Sequence, residues 1–541
     1  MVERVMTLSR GWSLSARGIG KALETIIQDG IARLGGTFGA VNKEAGSQQQ
    51  SVLFCAELQV SRQAWYDSGL VSAESALDRF TDGGTKTYWR EPEGRGSRLA
   101  AGSVMEIHAQ GKDRWPSLRQ HWESEHQAVS LVIHVRGELE VSETQDEIIL
   151  HEETFEPGSV ADIPWYGGGA FNDDKPEGPW TGWPAAFFYV PEFELVEDGS
   201  TIRLLVRMLS SEANDDGHQV KEVVQRFFRW FGKADGHPNE TADAKRRQVG
   251  LDEEDGADIR IESWYQDAVA QTAAEIQNGA YHKLVLARHR TLHAPRVYHP
   301  GRVIRELMVH YPDSFVFAVC FNFSCFVGAS PERLVRVENH VANVDCLAGT
   351  TARGASDQED AKLADALLHS AKDRKEHQVV LEWIEQRLSD FSSEITHPNQ
   401  PQIRKLANVQ HLHTPIEAVL DSGVTMLDLV AELHPTPAVA GTPRDTAISL
   451  IRERELMDRG WYAGCLGILQ GNGDGEMCVA IRSALIVGRT ATLYAGAGIM
   501  GDSNPASEWR ETELKLRPME GALTASGRAS AGNTPFEEEL D

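Results

Sequence analysis

The sequence predicts a large mixed α/β (α+β) protein, with strands and helices interleaved along one chain. Three observations predict it. From Ser51 to Met208 the chain breaks into short runs rich in β-branched and aromatic residues, parted by Gly, Pro and Asp turns. Beyond residue 257 such runs mix with amphipathic helical stretches. No run of eighteen or more apolar residues occurs among the 541, and 41% are hydrophobic, an ordinary share for a buried core.

In order, Lys21–Leu34 has helical spacing within a peripheral arm, residues 1–45. A scaffold half, 46–215, carries candidate strands at Ser51–Val60, Thr87–Arg90, Ser103–His108, Ala128–Val135, Asp162–Gly168, Pro184–Val190 and Thr201–Met208. Val220–Lys233 reads as an amphipathic helix, and the charged stretch after it, to residue 257, as a connector. Residues 258–520 form a second half. Its helices are Ser263–Gly279, Val303–His310, a long one over Ala361–Ser389, and Met426–Leu433. Its strands are Lys283–Leu292, Phe315–Asn322, Phe326–Ala329, Arg333–Val337 and Gln410–Thr414, with a Pro-rich loop at His434–Gly441. Met477–Val487 and Ala491–Tyr494 read as strands, Ala495–Ile499 as a glycine-rich bend, and Asp502–Pro505 as a helix start with an N-cap and Pro at its first position. The tail, 521–541, is Ser/Gly/Ala-rich, acidic and expected to be disordered.

Charge narrows the functions. With 53 Lys+Arg against 80 Asp+Glu, the net charge of −27 excludes a global nucleic-acid footprint. An anionic substrate needs a local positive pocket. Neither a membrane span nor a leader is expected. Cys55, Cys320, Cys325, Cys346, Cys465 and Cys478 form no CxxC pair and read as reduced core thiols of a cytoplasmic protein.

Several residues could carry chemistry. Glu508, Glu511 and Lys515 share one face of the last helix, and Asp373 and Glu376 share one face of the long helix. Two such carboxylate pairs make an oxygen-rich site for a hard cation, Mg²⁺ above others, or else ordinary salt-bridged faces. Lys283 opens an apolar strand, where burial would make it a base; at a strand end it is a solvated lysine. Glu332, in a Pro turn between apolar strands, is a candidate acid or a solvated turn residue. His411, His413 and His434 lack zinc spacing.

Seven segments, in order, resemble the chorismate-utilising enzymes, and isochorismate synthases in particular. They are KLVLAR (Lys283–Arg288), GASPERL (Gly328–Leu334), LAGTT (Leu347–Thr351), KDRKEH (Lys372–His377), LHPTPAVAG (Leu433–Gly441), YAGAGI (Tyr494–Ile499) and EWRETELK (Glu508–Lys515). WYGGGAF (Trp165–Phe171) and WPAAFFYVPEFELVEDG (Trp183–Gly199) extend the likeness into the first half.

The resemblance implies large antiparallel sheets packed together with helices outside, and an active site between the sheets. It implies that Lys283 activates water for attack at C2 of chorismate and that Glu332 protonates the departing C4 hydroxyl. Glu376 and Glu511 match magnesium ligands, with Asp373 and Glu508 nearby. Arg482, Lys515 and the Gly496 and Gly498 backbone match groups that hold carboxylates. Gly349 and Thr350 match a loop against the ring, and His411 a substrate-side histidine.

Lys283 and the LAGT motif differ from the Gln of anthranilate synthases and the PIKG-like motif of aminodeoxychorismate synthases, which argues for water as nucleophile. Ala438 stands where salicylate synthases carry Thr, which argues for stopping at isochorismate. Salicylate synthase remains the nearest rival, and a non-catalytic chorismate-binding protein a more distant one. The expected product feeds menaquinone or siderophore synthesis, and the family likeness implies a monomer.

Overall fold

The computed structural model describes residues 10–13, 15–44, 51–78, 84–94, 96–141, 147–210, 218–232, 257–406 and 409–528. Among them, two sheets of fourteen and ten strands lie face to face. Neighbouring strands run antiparallel, except that Ser51–Ser61 runs parallel to Val129–Val141.

The strand Phe315–Phe321 shows how the layers form. Phe315, Phe317 and Val319 enter an aromatic core between the sheets, together with Trp165, Trp180, Trp183 and Trp461. The alternate residues Val316, Ala318 and Cys320 enter a second core beneath the outer helices. Period-two alternation with both faces apolar therefore buries the wider sheet on both sides.

The two halves read from sequence interleave instead of standing apart. Lys86–Arg90 of the first pairs with Phe315–Phe321 of the second, and Pro164–Gly169 pairs with Cys465–Gln470. The N-terminal segment is not peripheral either. A helix spans Ala16–Glu44, and its Ile19, Leu23, Ile26 and Ile27 are buried in the outer core. The last helix runs Pro505–Arg528, past the expected start of the tail, because Ala522 and Leu523 continue its buried face. Of the connector expected over Ala234–Ala257, all but Ala257, which opens the helix Ala257–Gln277, lies outside the described residues.

The long helix expected over Ala361–Ser389 is two, Asp357–His369 and Ala371–Leu388. Ser370 leaves the helical region and caps the second one by accepting from Asp373 N. The glycine-rich bend is the end of a strand, Thr490–Ile499, paired with Lys283–His293. Cys320 and Cys325, expected as thiols, face each other across a hairpin and are disulfide-bonded; Cys55, Cys346, Cys465 and Cys478 are free and buried. Among the described residues no helix is long and apolar enough to cross a membrane.

Candidate active site

Two chain segments pass side by side from one sheet to the other. The first leaves the wider sheet after Ser324–Ser330 and enters the narrower one at Arg333–Glu338. The second leaves the narrower sheet after Gly475–Val479 and enters the wider one at Ser483–Val487. The single strand expected over Met477–Val487 is two, in different sheets. The break at Ala480–Arg482 is what brings Arg482 into the cleft.

The crossings are fastened together. Ser330 Oγ donates to Val479 O at 2.5 Å and accepts from Glu332 N at 3.2 Å. Val479 N donates to Glu332 O, and Ala329 N to Arg482 O. Arg482 has φ 53°, a left-handed conformation costly for a non-glycine residue and typical of functional sites. Burial lowers its guanidinium pKa. Glu332 is 7% exposed, and its carboxyl pKa is pushed from 4.5 up to about 7. Burial is the main cause and the charge of Asp345 the second; Lys283, Arg482 and Lys515 oppose them.

Lys283 begins the strand next to Thr490–Ile499 and is 1% exposed. Its Nζ donates to Glu376 Oε1 at 2.7 Å. A Cβ on Gly498 would lie 2.9 Å from Glu376 Oε1 and 2.9 Å from Lys283 Cε, so only glycine leaves room for the pair. Lys515 Nζ donates to Gly496 O at 2.9 Å and pairs with Glu511 at 2.6 Å. Arg288 anchors that last helix to the strand: its Nε donates to Thr512 Oγ1 at 2.9 Å, and its guanidinium lies 3.7 Å over the Trp509 ring.

The helices Ala371–Leu388 and Pro505–Arg528 bring their carboxylates together. The Glu508 pKa is raised to about 7, by burial first and Glu511 second, and Lys372 Nζ lies 3.7 Å away. The Asp373 pKa is raised by burial, with Glu376 and Glu511 adding to it. The Glu511 pKa is lowered, as Lys515 outweighs its burial. These oxygen donors suit a hard cation, although no three acidic, His or Cys groups among the described residues form a finished cage.

On the narrower sheet, Gly349 takes φ 81° at a register shift in Val341–Ala352, which brings Thr350 opposite His411. Thr350 Oγ1 lies 2.9 Å from His411 Nδ1. His411 Nε2 is buried without a partner, and burial, with Arg482 and Lys515 next, depresses the ring's pKa to about 3. That ring is neutral and offers one free nitrogen. The loop of Ala438 reaches the Lys283 strand, where Ala440 O accepts from Val285 N at 2.8 Å. His434 lies apart from the candidate groups and bonds Ala463 O.

Three further residues, His377, Asp345 and Arg459, have no role expected from the sequence. His377 lies 2.8 Å from Thr414 Oγ1 through Nε2 and 3.2 Å from Ala348 O through Nδ1, fixing the carboxylate helix to two strands. It stands beside Glu376 in KDRKEH, but its direction cannot be read without the helix packing. Arg459 and Glu455 stand four apart, but the helix Arg444–Arg454 ends before both, so their pairing is not a helical one.

The sequence profile of the family described as chorismate binding enzyme matches residues 67–524. The salicylate biosynthesis isochorismate synthase of Pseudomonas aeruginosa is 36% identical over 445 residues, 81% of this chain and 85% of that protein. An isochorismate synthase of Bacillus subtilis is 32% identical over 448 residues, 82% and 89% of the two chains. The solved menaquinone-specific isochorismate synthase of Escherichia coli aligns with a TM-score of 0.67 at 21% identity, covering 92% of this chain and all of that one. Anthranilate synthase component I of Streptococcus pneumoniae aligns at 0.58 and 22%, over 79% and 92%. At those identities the two structural likenesses speak for the fold alone.

Proposed function

This chain is a member of the chorismate binding enzyme family, and we propose that it is an isochorismate synthase, converting chorismate to isochorismate. The observation that carries the reading is the buried Glu332 carboxyl, poised near pH 7 within range of Lys283, Arg482 and Lys515. Water is a poor nucleophile and hydroxide a poor leaving group. A base and an acid acting on one ring answer both.

Lys283 takes the proton of the water that attacks C2, and Glu332 delivers one to the C4 hydroxyl as it leaves. Arg482, Lys515 and the Gly496 and Gly498 backbone hold the substrate's carboxylates, a positive pocket within an acidic protein. Thr350 and Gly349 bound the ring, and His411 offers it Nε2. Glu376 and Glu511, with Asp373 and Glu508 nearby, would hold Mg²⁺. When bound, the ion supplies positive charge for a substrate carboxylate. In this reading the enzyme works in the cytoplasm as a monomer, and its product feeds menaquinone or siderophore synthesis.

Product chromatography with purified protein, chorismate and Mg²⁺ tests it. Isochorismate as sole product, lost when the ion is chelated, is expected. Salicylate with pyruvate would make the chain a salicylate synthase and discard the Ala438 argument. Chorismate binding without turnover would leave a binding protein.

Gly498→Ala is expected to fold, since the atoms it crowds are the ends of two side chains. Moving Lys283 and Glu376 by about 1 Å is expected to cost roughly 10²-fold in turnover. Turnover equal to the parent's would show that the pair does not need that space.

A further inference from the structure

A ladder of charged side chains crosses five neighbouring strands of the narrower sheet, beside the cleft. Arg404 Nη1 donates to Asp345 Oδ2 at 3.2 Å, and His413 Nε2 lies 2.8 Å from Asp345 Oδ1. Arg333 Nη1 reaches Asp345 Oδ2 at 3.5 Å, and Arg333 Nε donates to Glu476 Oε1 at 2.7 Å. His413 stands two residues from His411 on one strand, so both project from the same face. Arg333 follows Glu332 directly, at an irregularity in the pairing with Gly475–Val479.

We propose that Asp345 is a positioning residue for the acid of the proposed reaction: it anchors Arg333, fixing the turn that carries Glu332, and it sets a permanent negative charge beside the Glu332 carboxyl. The inference rests on the isochorismate synthase reading.

Two arginines and a hydrogen-bonded histidine keep Asp345 ionised. Its pKa stays below the usual carboxylate value although it is 9% exposed, because His413, Arg333 and Arg404 outweigh burial. Around Glu332 the charges are opposed. Lys283 from its strand, Arg482 from the second crossing and Lys515 from the last helix favour the ionised acid, while Asp345 and burial favour the protonated one. The thiols of Cys346 and Cys478 and the Tyr462 phenol also lie within its field; their own pKa values are raised, mainly by burial, and they stay neutral. Among the groups that act most on Glu332, Asp345 is therefore the ionised one that helps the acid keep its proton.

The test is the pH profile of kcat/KM for isochorismate formation. The parent is expected to lose activity as pH rises past the pKa of Glu332. Asp345→Asn is expected to move that alkaline limb about one pH unit lower, a roughly tenfold relative loss on the limb. Asp345→Glu should restore it. Arg404→Gln leaves Asp345 less neutralised and should move the limb the other way, which serves if the Asn protein does not fold. A uniform loss at all pH values, with the limb unmoved in both variants, overturns the proposal and leaves the function standing. If the parent makes no isochorismate at all, the functional reading fails, and this inference with it.

Discussion

Glu332→Gln is expected to lose roughly 10²- to 10⁴-fold in turnover of chorismate, the usual worth of a positioned general acid. The same protein is expected to melt higher than its parent near pH 8. The two effects share a cause. The fold raises the Glu332 pKa from 4.5 to about 7 because the carboxyl is buried and Asp345 is near. A raised acid holds its proton in the folded chain at pH values where the unfolded chain has released it. Its contribution to stability is complete below about pH 4.5 and is lost as pH rises through about 7. At about 1.4 kcal/mol per pH unit, the parent carries about 3 kcal/mol of strain above that range, which a neutral amide avoids. Thermal scans at about pH 5 and pH 8 read the difference. A variant that keeps turnover within about tenfold of the parent's removes Glu332 from the chemistry. One that melts lower than the parent at pH 8 removes burial as the source of its pKa.

How far the site could be read from sequence follows from what each residue needs. Lys283, Glu376, Glu511 and Lys515 stood out because they sit in contiguous motifs, and a strand or helix carries its spacing with it. Met426–Leu433 was legible to the residue, since a capping box at Thr425 and Asp428 and an apolar face mark both ends. The sheet-to-sheet crossings were not. Ala480–Arg482 is short and apolar on both sides, and local pattern cannot tell a continuous strand from one that changes sheets. Nor could it show that the N-terminal helix is core, because its apolar face meets strands far along the chain. Ser370 was missed as a helix break for a different reason. A serine inside a helical pattern becomes a cap only when packing turns the next segment.

The second large effect concerns stability, at a place the motifs did not mark. Arg459 is 1% exposed, and its Nε donates to Glu455 Oε2 at 2.9 Å and its Nη2 to Oε1 at 2.5 Å. Its Nη1 donates to Val439 O at 2.7 Å and its Nη2 to Val285 O at 3.0 Å, while Ala287 N donates to Glu455 Oε1 at 2.7 Å. The pair thus joins the loop of Ala438 to the strand of Lys283 through backbone atoms. Arg459→Met keeps much of the volume but strands a buried carboxylate and two carbonyls, an expected loss of about 3–5 kcal/mol. The loss should be smaller near pH 5 than near pH 8, because burial already raises the Glu455 pKa and a protonated Glu455 no longer needs its cation. Arg459→Met with Glu455→Leu should recover only part of it, since the Ala287 N–H then has no acceptor. In the folded fraction, KM for chorismate should rise more than kcat falls, as the loop loosens from its strand. Urea midpoints at the two pH values decide the matter. A shift below about 1 kcal/mol at pH 8 would mean that water replaces the guanidinium at little cost, and that the loop is held by its own prolines instead.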